Sequence, residues 1–315
     1  MISRDEVRIN EFCKRFCAVH PLAADRFSVD EPMDIHSTFK VGGKADYFFS
    51  AASGDELAGA VRSAREAGLP VTVLGNCSNI LVSDKGIRGL VVVVSKHMSG
   101  MTLENDHTID AQAGVLLSAV SKFAASNSLT GLEFASGIPG TLGGAVYMNA
   151  GAYGGCMADI VVSSRGLDTQ TLEIFELEDA RSHIFGYRKS FYSSNNAVVI
   201  SARLKLAAGD QDSIAAAMND FACRRRGSQP LDLPSAGSTF KRPDGHYAGR
   251  LIEEAGLKGF RIGGACVSTK HAGFIVNDRG AVSSDILKLI EHVQDTVYNS
   301  SGIRLEPEVR ILGEW

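Results

Sequence analysis

Apolar positions along the chain fall into two rhythms. Over 55–68, Leu57, Ala60, Val61 and Ala64 repeat at helical spacing, Asp55 and Glu56 occupy the first turn, and Gly68 with Pro70 stops the run, which predicts a helix. The stretch 284–299 is the clearest amphipathic helix, with Ile286, Leu287, Ile290, Val293 and Val297 in register. Further helices are predicted over 116–129, 213–226 and 247–255. The second of these ends in Arg224, Arg225 and Arg226, cations that suit a helix C-terminus. Short runs rich in Val, Ile and Leu predict strands at 41–49, 71–74, 80–82, 90–94, 108–111, 160–167, 171–177 and 197–206, then at 261–267, 273–277 and 304–312.

In chain order these elements group into three parts. Residues 1–95 read as a β-α-β-β unit. Residues 96–227 read as an antiparallel sheet carrying one helix and one long glycine-rich loop. Residues 228–315 form a smaller α/β part, reached through the proline-bearing link 227–234. The fold class is α+β, and a chain of 315 residues is expected to hold two or three domains. A hydrophobic fraction of 44% and a charged fraction of 22% are ordinary globular composition, and a net charge of −4 gives no electrostatic case for nucleic acid. No apolar span of about 18 residues and no signal-peptide pattern occurs, so a cytoplasmic protein without membrane insertion is expected. Cys13, Cys17, Cys77, Cys156, Cys223 and Cys266 form no C-x-x-C pair and lie beside no histidines at ligand spacing, so reduced thiols and no metal are expected. Cys13 and Cys17, four apart, would share a helix face.

Candidate chemistry begins with the run from Gly131 to Gly155, which holds eight glycines in 25 residues and one charge, Glu133. Glycine permits φ > 0 and close approach to bare amides. Leu132, Phe134, Ile138, Leu142, Val146, Tyr147 and Met148 are interleaved, which a flexible linker lacks. A buried loop around an extended, acceptor-rich ligand fits, and a diphosphate is the usual one. The turn Gly75-Asn76-Cys77-Ser78-Asn79 offers free amides and small polar groups; alone it serves equally as an Asx turn or a phosphate site. Neither segment is a G-x-G-x-x-G or Walker motif, so a different way of holding a dinucleotide is implied. Arg188, beside Tyr187, suits a carboxylate or flavin carbonyl through its planar fork, or is a surface arginine. Ser238, after Gly237 and before Lys241 and Arg242, has no G-x-S-x-G elbow around it. Its hydroxyl would donate a proton instead of attacking, or cap a local turn. Glu306, Glu308 and Arg310 alternate, and on a strand they would share one face.

Taken together, these segments resemble the UDP-N-acetylenolpyruvoylglucosamine reductase family, flavoenzymes of bacterial cell-wall precursor synthesis. The carrying residues are Ser37 to Gly43, Gly75 to Asn79, Ser136 to Gly155, Gly186-Tyr187-Arg188, Ala236 to Lys241, His271 to Phe274 and Leu305 to Val309, in the family's order over nearly the whole chain. The resemblance implies an FAD-binding region of the p-cresol methylhydroxylase/vanillyl-alcohol oxidase type, formed by two subdomains (1–95 and 96–227), and a substrate domain (228–315). It implies noncovalent FAD, NADPH as reductant, UDP-N-acetylglucosamine enolpyruvate as substrate, and a monomer. It assigns cofactor contacts to Gly75, Asn76, Cys77, Ser78, Asn79, Ile80, Gly137, Ile138, Pro139, Gly140, Gly143, Gly144, Ala145, Asn149, Gly151, Ala152, Tyr153 and Gly154.

In the implied reaction, hydride passes from flavin N5 to the vinyl carbon and the adjacent carbon is protonated. Arg188 and Glu308 fall on the positions that stabilise the resulting aci-carboxylate, and Ser238 on the proton donor. Glu308 fills that role only as a hydrogen-bond donor, so a raised pKa is expected. Tyr187, Arg225, Lys241 and Arg242 are the candidates for the sugar nucleotide. Two positions depart from the family pattern. Cys77 stands where glycine is common, so a φ > 0 there would be strained, and Ser37 stands where Asn is frequent, with a side chain still able to cap the turn. The chain is also short after Ser238 and lacks the inserted loop that carries a substrate-covering tyrosine. The rival reading is another FAD-dependent oxidoreductase, an alcohol or sugar oxidase, with Cys156 as the one candidate for flavin attachment.

Overall fold

A computed structural model describes residues 4–19, 21–104 and 107–315. The chain packs as two compact units: the first is the N-terminal segment to Val29 with Tyr47–Asn76 and Gly89–Ala222, the second is Asp30–Asp46 with Cys77–Arg88 and Cys223–Trp315.

In the first unit the helix Gly54–Glu66 buries Leu57, Ala60, Val61 and Ala64, the predicted stripe. Ser53, which the sequence reading passed over, caps it: its Oγ accepts from Glu56 N at 3.1 Å. Val71–Leu74 then runs parallel to Leu90–Val93. The strand Ile80–Val82 does not join them. It pairs in parallel with Arg310–Leu312 in the second unit, so the expected β-α-β-β unit is incomplete as drawn.

A five-stranded sheet follows, in the order Ile174–Leu177, Val161–Asp168, Ala197–Lys205, Thr108–Gln112, Met101–Leu103, antiparallel throughout. The first of these starts three residues later than predicted, because Asp168 folds the chain into a turn (Oδ1 accepts from Gln170 N and Thr171 N) and Leu172 takes φ +63°. Leu117, Val120 and Ala124 of the helix Leu117–Ser126 belong to the same core as Ile109, Ala111, Val199, Ala202 and Leu204.

The glycine-rich stretch is not one long loop. Thr141 caps a short helix, Leu142–Met148, Asn149 ends it in the left-handed region at φ +44°, and a tight hairpin pairs Gly151–Ala152 with Gly155–Cys156. Helix propensity alone would not place two glycines, Gly143 and Gly144, inside a helix. Packing decides it: a Cβ on Gly143 would stand 2.8 Å from Ala113 Cβ.

The second unit is built around the helix Ser283–Ser301, whose Ile286, Leu289, Ile290, Val293 and Val297 are buried; Leu287, placed on the apolar face by the sequence, is only partly covered. Its core holds Ala265, Val267 and Ile275 from a three-stranded antiparallel sheet, and Phe39, Leu81, Phe240, Leu251 and Leu305. The predicted strand 261–267 is a hairpin, Arg261–Ile262 against Ala265–Val267, because Gly263 turns the chain at φ +53°. The predicted strand 41–49 begins only at Lys44, since Gly42 takes φ +128°. The predicted strand 304–312 is regular only over Arg310–Leu312. Glu306 and Glu308 therefore do not share a strand face with Arg310.

Candidate active site

The glycines of the proposed cofactor segments do two different jobs. Some exist for contact within the protein. A Cβ on Gly75 would lie 2.6 Å from Thr141 Oγ1, so the end of Val71–Leu74 and the cap of Leu142–Met148 meet with nothing between them, and Gly151 is similarly tight against Cys156. Several amides expected to await a ligand are already bonded: Leu142 N to Val115 O and Gly143 N to Ala113 O at 2.8 Å, and Ile138 N to Ala135 O at 3.1 Å. Others face open space. Gly137, Pro139, Gly144 and Gly154 are exposed; a side chain on Gly154 would meet nothing within 4 Å, while Gly144 N donates to Thr141 Oγ1 at 3.5 Å and Pro139 carries no N–H. That open backbone, next to the exposed Asn76, fits a dinucleotide lying on the segment. Gly140, Ala145 and Ala152 line the same segment.

Asn149 and Tyr153, taken as cofactor contacts, have partners of their own. Asn149 donates from Nδ2 to Gly186 O at 2.9 Å and accepts at Oδ1 from Ala158 N. Tyr153, at φ +52°, stacks on Phe221 with ring centres 4.5 Å apart. The Cys156 thiol is pushed up by burial, with the Asp159 carboxylate adding to it, so it is not activated toward flavin attachment.

Arg188 sits at the tip of a tight turn. Gly186 and Lys189 exchange both backbone hydrogen bonds, at 2.9 and 3.2 Å, and Arg188 itself takes φ +53°. A non-glycine residue there costs about 1–2 kcal/mol, so its surroundings must hold it. Asn149 grips Gly186 from one side, and Ser190 Oγ donates to Tyr147 O at 2.8 Å on the other. The guanidinium lies over the exposed Tyr187 ring at 5.2 Å. Arg188 and the glycine-rich segment are thus joined through Asn149 inside the first unit.

The second unit gathers the other candidates around Thr239, which is fully buried and to which the sequence reading assigned no role of its own. Thr239 N donates to Gly273 O at 2.9 Å and its Oγ1 accepts from Ile275 N. Its carbonyl accepts from Glu308 N at 2.8 Å. Lys241 N donates to Glu306 O, and Phe240 bridges Pro307, so 239–241 lies antiparallel to 306–308. The exposed Ser238, after Gly237 at φ +78°, is therefore beside Glu308 in the chain's own bonding. The polar turn reaches the same place: Asn79 Nδ2 donates to Glu308 O at 3.1 Å, and Arg310 N to Asn79 O at 3.1 Å. Ser78 O accepts from Thr38 Oγ1, while Cys77 and Ile80 are buried.

Cys77 takes φ +51°, the strained conformation foreseen for that slot, and burial pushes its thiol up to about 12. The Ser37 hydroxyl does not cap the turn; buried, it has no hydrogen-bond partner among the described residues. Of the candidate cations, Lys241 pairs with Glu306, Arg242 lies 4.0 Å from the centre of the Tyr247 ring, and Arg225 is half-buried near the end of the helix Gln211–Ser228. Among the described residues no cluster of three potential metal ligands occurs, and no helix is long and apolar enough to cross a membrane.

Comparison with known proteins places the chain in a family. The family model for the C-terminal domain of UDP-N-acetylenolpyruvoylglucosamine reductase matches residues 229–312, and that for an FAD binding domain matches 45–172. A UDP-N-acetylenolpyruvoylglucosamine reductase of Clostridioides difficile is 48% identical, covering 93% of this chain and 95% of the relative. One from Clostridium perfringens is 46% identical over 91% of this chain and 93% of its own length. The crystal structure of the Thermus caldophilus enzyme of that name is 34% identical and superposes with a TM-score of 0.77 over 91% of this chain and 98% of the other. The α+β class, with an FAD-binding region ahead of a C-terminal domain, is borne out.

Proposed function

The chain belongs to the UDP-N-acetylenolpyruvoylglucosamine reductase family, and from that membership we propose that it reduces the enolpyruvyl group of UDP-N-acetylglucosamine enolpyruvate to the D-lactyl ether of UDP-N-acetylmuramate, with NADPH as reductant. It works in the cytoplasm, as a monomer. The segment 45–172 binds FAD noncovalently, with Gly137, Gly154 and Asn76 as its open backbone and the turn 77–80 as a further contact. The division at 95 and 227 stands as the proposed domain plan, and the C-terminal family match from 229 supports its second boundary. When bound, the flavin supplies the two-electron step, taking hydride from NADPH and giving it to the vinyl carbon.

The protein's own residues handle the charge and the proton. Addition of hydride to the vinyl carbon drives negative charge onto the substrate carboxylate. Arg188 meets that charge with a fixed guanidinium, and Glu308 donates a hydrogen bond to the same group; donors preorganised where charge develops are often the largest catalytic contribution. The Ser238 hydroxyl delivers the proton to the carbon next to the carboxylate, a strongly basic centre at that moment. Lys241, Arg242, Arg225 and Tyr187 bind the sugar nucleotide, which requires the Lys241–Glu306 pair to open or share. The overall balance is NADPH, one proton and the enol ether giving NADP⁺ and the lactyl ether.

The observation that carries this reading is the cluster bonded through Thr239. It keeps Ser238, Glu308 and Asn79 together although they are far apart in sequence. A Ser238→Ala enzyme is expected to keep flavin reduction by NADPH and to lose about 10²–10⁴-fold in reoxidation by the enolpyruvyl substrate. Full turnover by that variant would remove Ser238 from the mechanism.

A further inference from the structure

Behind the Arg188 turn lies a buried chain of three polar side chains that the reaction does not use. His183 is fully buried, and its Nδ1 is 3.0 Å from Asp179 O. A carbonyl only accepts, so Nδ1 carries the proton. Burial pushes the His183 pKa down, so the ring is neutral and its Nε2 is an acceptor. Ser164 Oγ, 2.7 Å away, therefore donates to Nε2, and Tyr192 Oη, 2.7 Å from Ser164 Oγ, donates to the serine. Each of the three hydrogen bonds then has a single direction, with no buried donor left over. Burial also pushes the Tyr192 hydroxyl up to about 12, so it stays protonated and keeps donating.

The two ends of this chain are the two stems of the Arg188 turn. Upstream, the His183 ring stacks on Phe185 at 5.1 Å and 9° between planes, one residue before Gly186. Downstream, Tyr192 lies in the short helix Phe191–Ser194, which Ser190 caps. Ser164, in the middle, is on the strand Val161–Asp168, between Ile174–Leu177 and Ala197–Lys205 in the five-stranded sheet. Gly166 on that strand makes room, since a Cβ there would stand 2.7 Å from the Tyr192 ring. We propose that the His183–Ser164–Tyr192 chain positions Arg188, by tying both stems of its left-handed turn to one point on the sheet. The Gly186–Lys189 hydrogen bonds and the Asn149 and Ser190 contacts close the turn locally, and the stems add the restraint that keeps φ +53° at an arginine. The inference rests on the reading of Arg188 as the group that meets the substrate carboxylate.

The test uses the FAD-loaded enzyme and the two half-reactions separately. Ser164→Ala unties both stems and Tyr192→Phe unties one. Reoxidation by UDP-N-acetylglucosamine enolpyruvate is expected to slow about tenfold in the first and about threefold in the second, because small misplacements of a catalytic group cost that much or more. Flavin reduction by NADPH is expected to stay unchanged in both. On an Arg188→Ala background Ser164→Ala is expected to add nothing further, as for a residue acting only through Arg188. Hydrogen exchange at the Gly186 and Lys189 amides is expected to quicken in both stem variants, a readout independent of turnover.

If Arg188→Ala slows reoxidation while both stem variants leave it unchanged, the positioning role is overturned. Equal losses in both half-reactions would also overturn it and mean plain destabilisation. If Arg188→Ala itself leaves reoxidation intact, the reading of Arg188 fails instead. Should Ser164→Ala not fold, Tyr192→Phe decides by the same criteria.

Discussion

Cys77 occupies a left-handed backbone position with its side chain buried, in a turn assigned to the cofactor. Two effects compete there. An L residue at φ +51° carries about 1–2 kcal/mol of strain that glycine lacks, while glycine loses about 0.5–1 kcal/mol more backbone entropy on folding. The strain is the larger, so the usual order of alanine over glycine is inverted at this site. Cys77→Gly is expected to be more stable than Cys77→Ala by about 1 kcal/mol, read from urea midpoints with the slope unchanged. An alanine variant at least as stable as the glycine one would mean the turn relaxes to negative φ. The conflict was visible in the sequence once glycine was expected there. What was not visible is that Ser37, the other departure, buries its hydroxyl without a partner among the described residues.

Among elements, the long helix Ser283–Ser301 shows what a periodic pattern reveals and what it omits. Its apolar face was legible because its buried residues recur at helical spacing. Its start was placed to within one residue, but the group that closes it was not legible, since it comes from about 200 residues away. Asp84 Oδ1 accepts from Ser283 N at 2.7 Å and Oδ2 from Ser284 N at 2.9 Å. Burial alone would raise the Asp84 pKa, but the bonds from Ser284 and Ser283 outweigh it and hold the carboxyl below its ordinary range.

A carboxyl lowered in the folded state stabilises above its unfolded pKa of about 3.9 and loses that contribution as pH falls below it. Asp84→Ala is therefore expected to cost about 1 kcal/mol at pH 7, as for a lost helix cap, with the gap to wild type closing as thermal melts are taken below about pH 4. A gap that persists at low pH would mean Asp84 acts by packing instead of charge. The hairpin Arg261–Ile262/Ala265–Val267 and the helix Leu142–Met148 escaped the sequence reading for a related reason: glycines set both, and glycine marks where a chain turns or touches without saying which.

For the whole molecule, the candidate site was legible residue by residue through the motifs and illegible as an arrangement. Arg188 belongs to the first unit and Ser238 with Glu308 to the second, and the polar turn changes unit between Asn76 and Cys77. The alternation of segments between the two compact units leaves no mark of its own in the chain order. Pairings such as Arg310–Leu312 with Ile80–Val82 leave no local signature, because register between distant strands is set by tertiary packing. Within the second unit, the bonds through Thr239 and Asn79 join segments around 79, 239 and 308 that the chain order keeps apart.

The assignment of activity stands or falls with one experiment on the intact, FAD-loaded protein held without oxygen. Its flavin is reduced with NADPH, UDP-N-acetylglucosamine enolpyruvate is added, and the flavin absorbance is followed. Rapid return of the oxidised spectrum, with UDP-N-acetylmuramate formed in proportion, is the expected result. Reduction by NADPH without reoxidation by that substrate would contradict the assignment and leave an FAD-dependent oxidoreductase acting on something else.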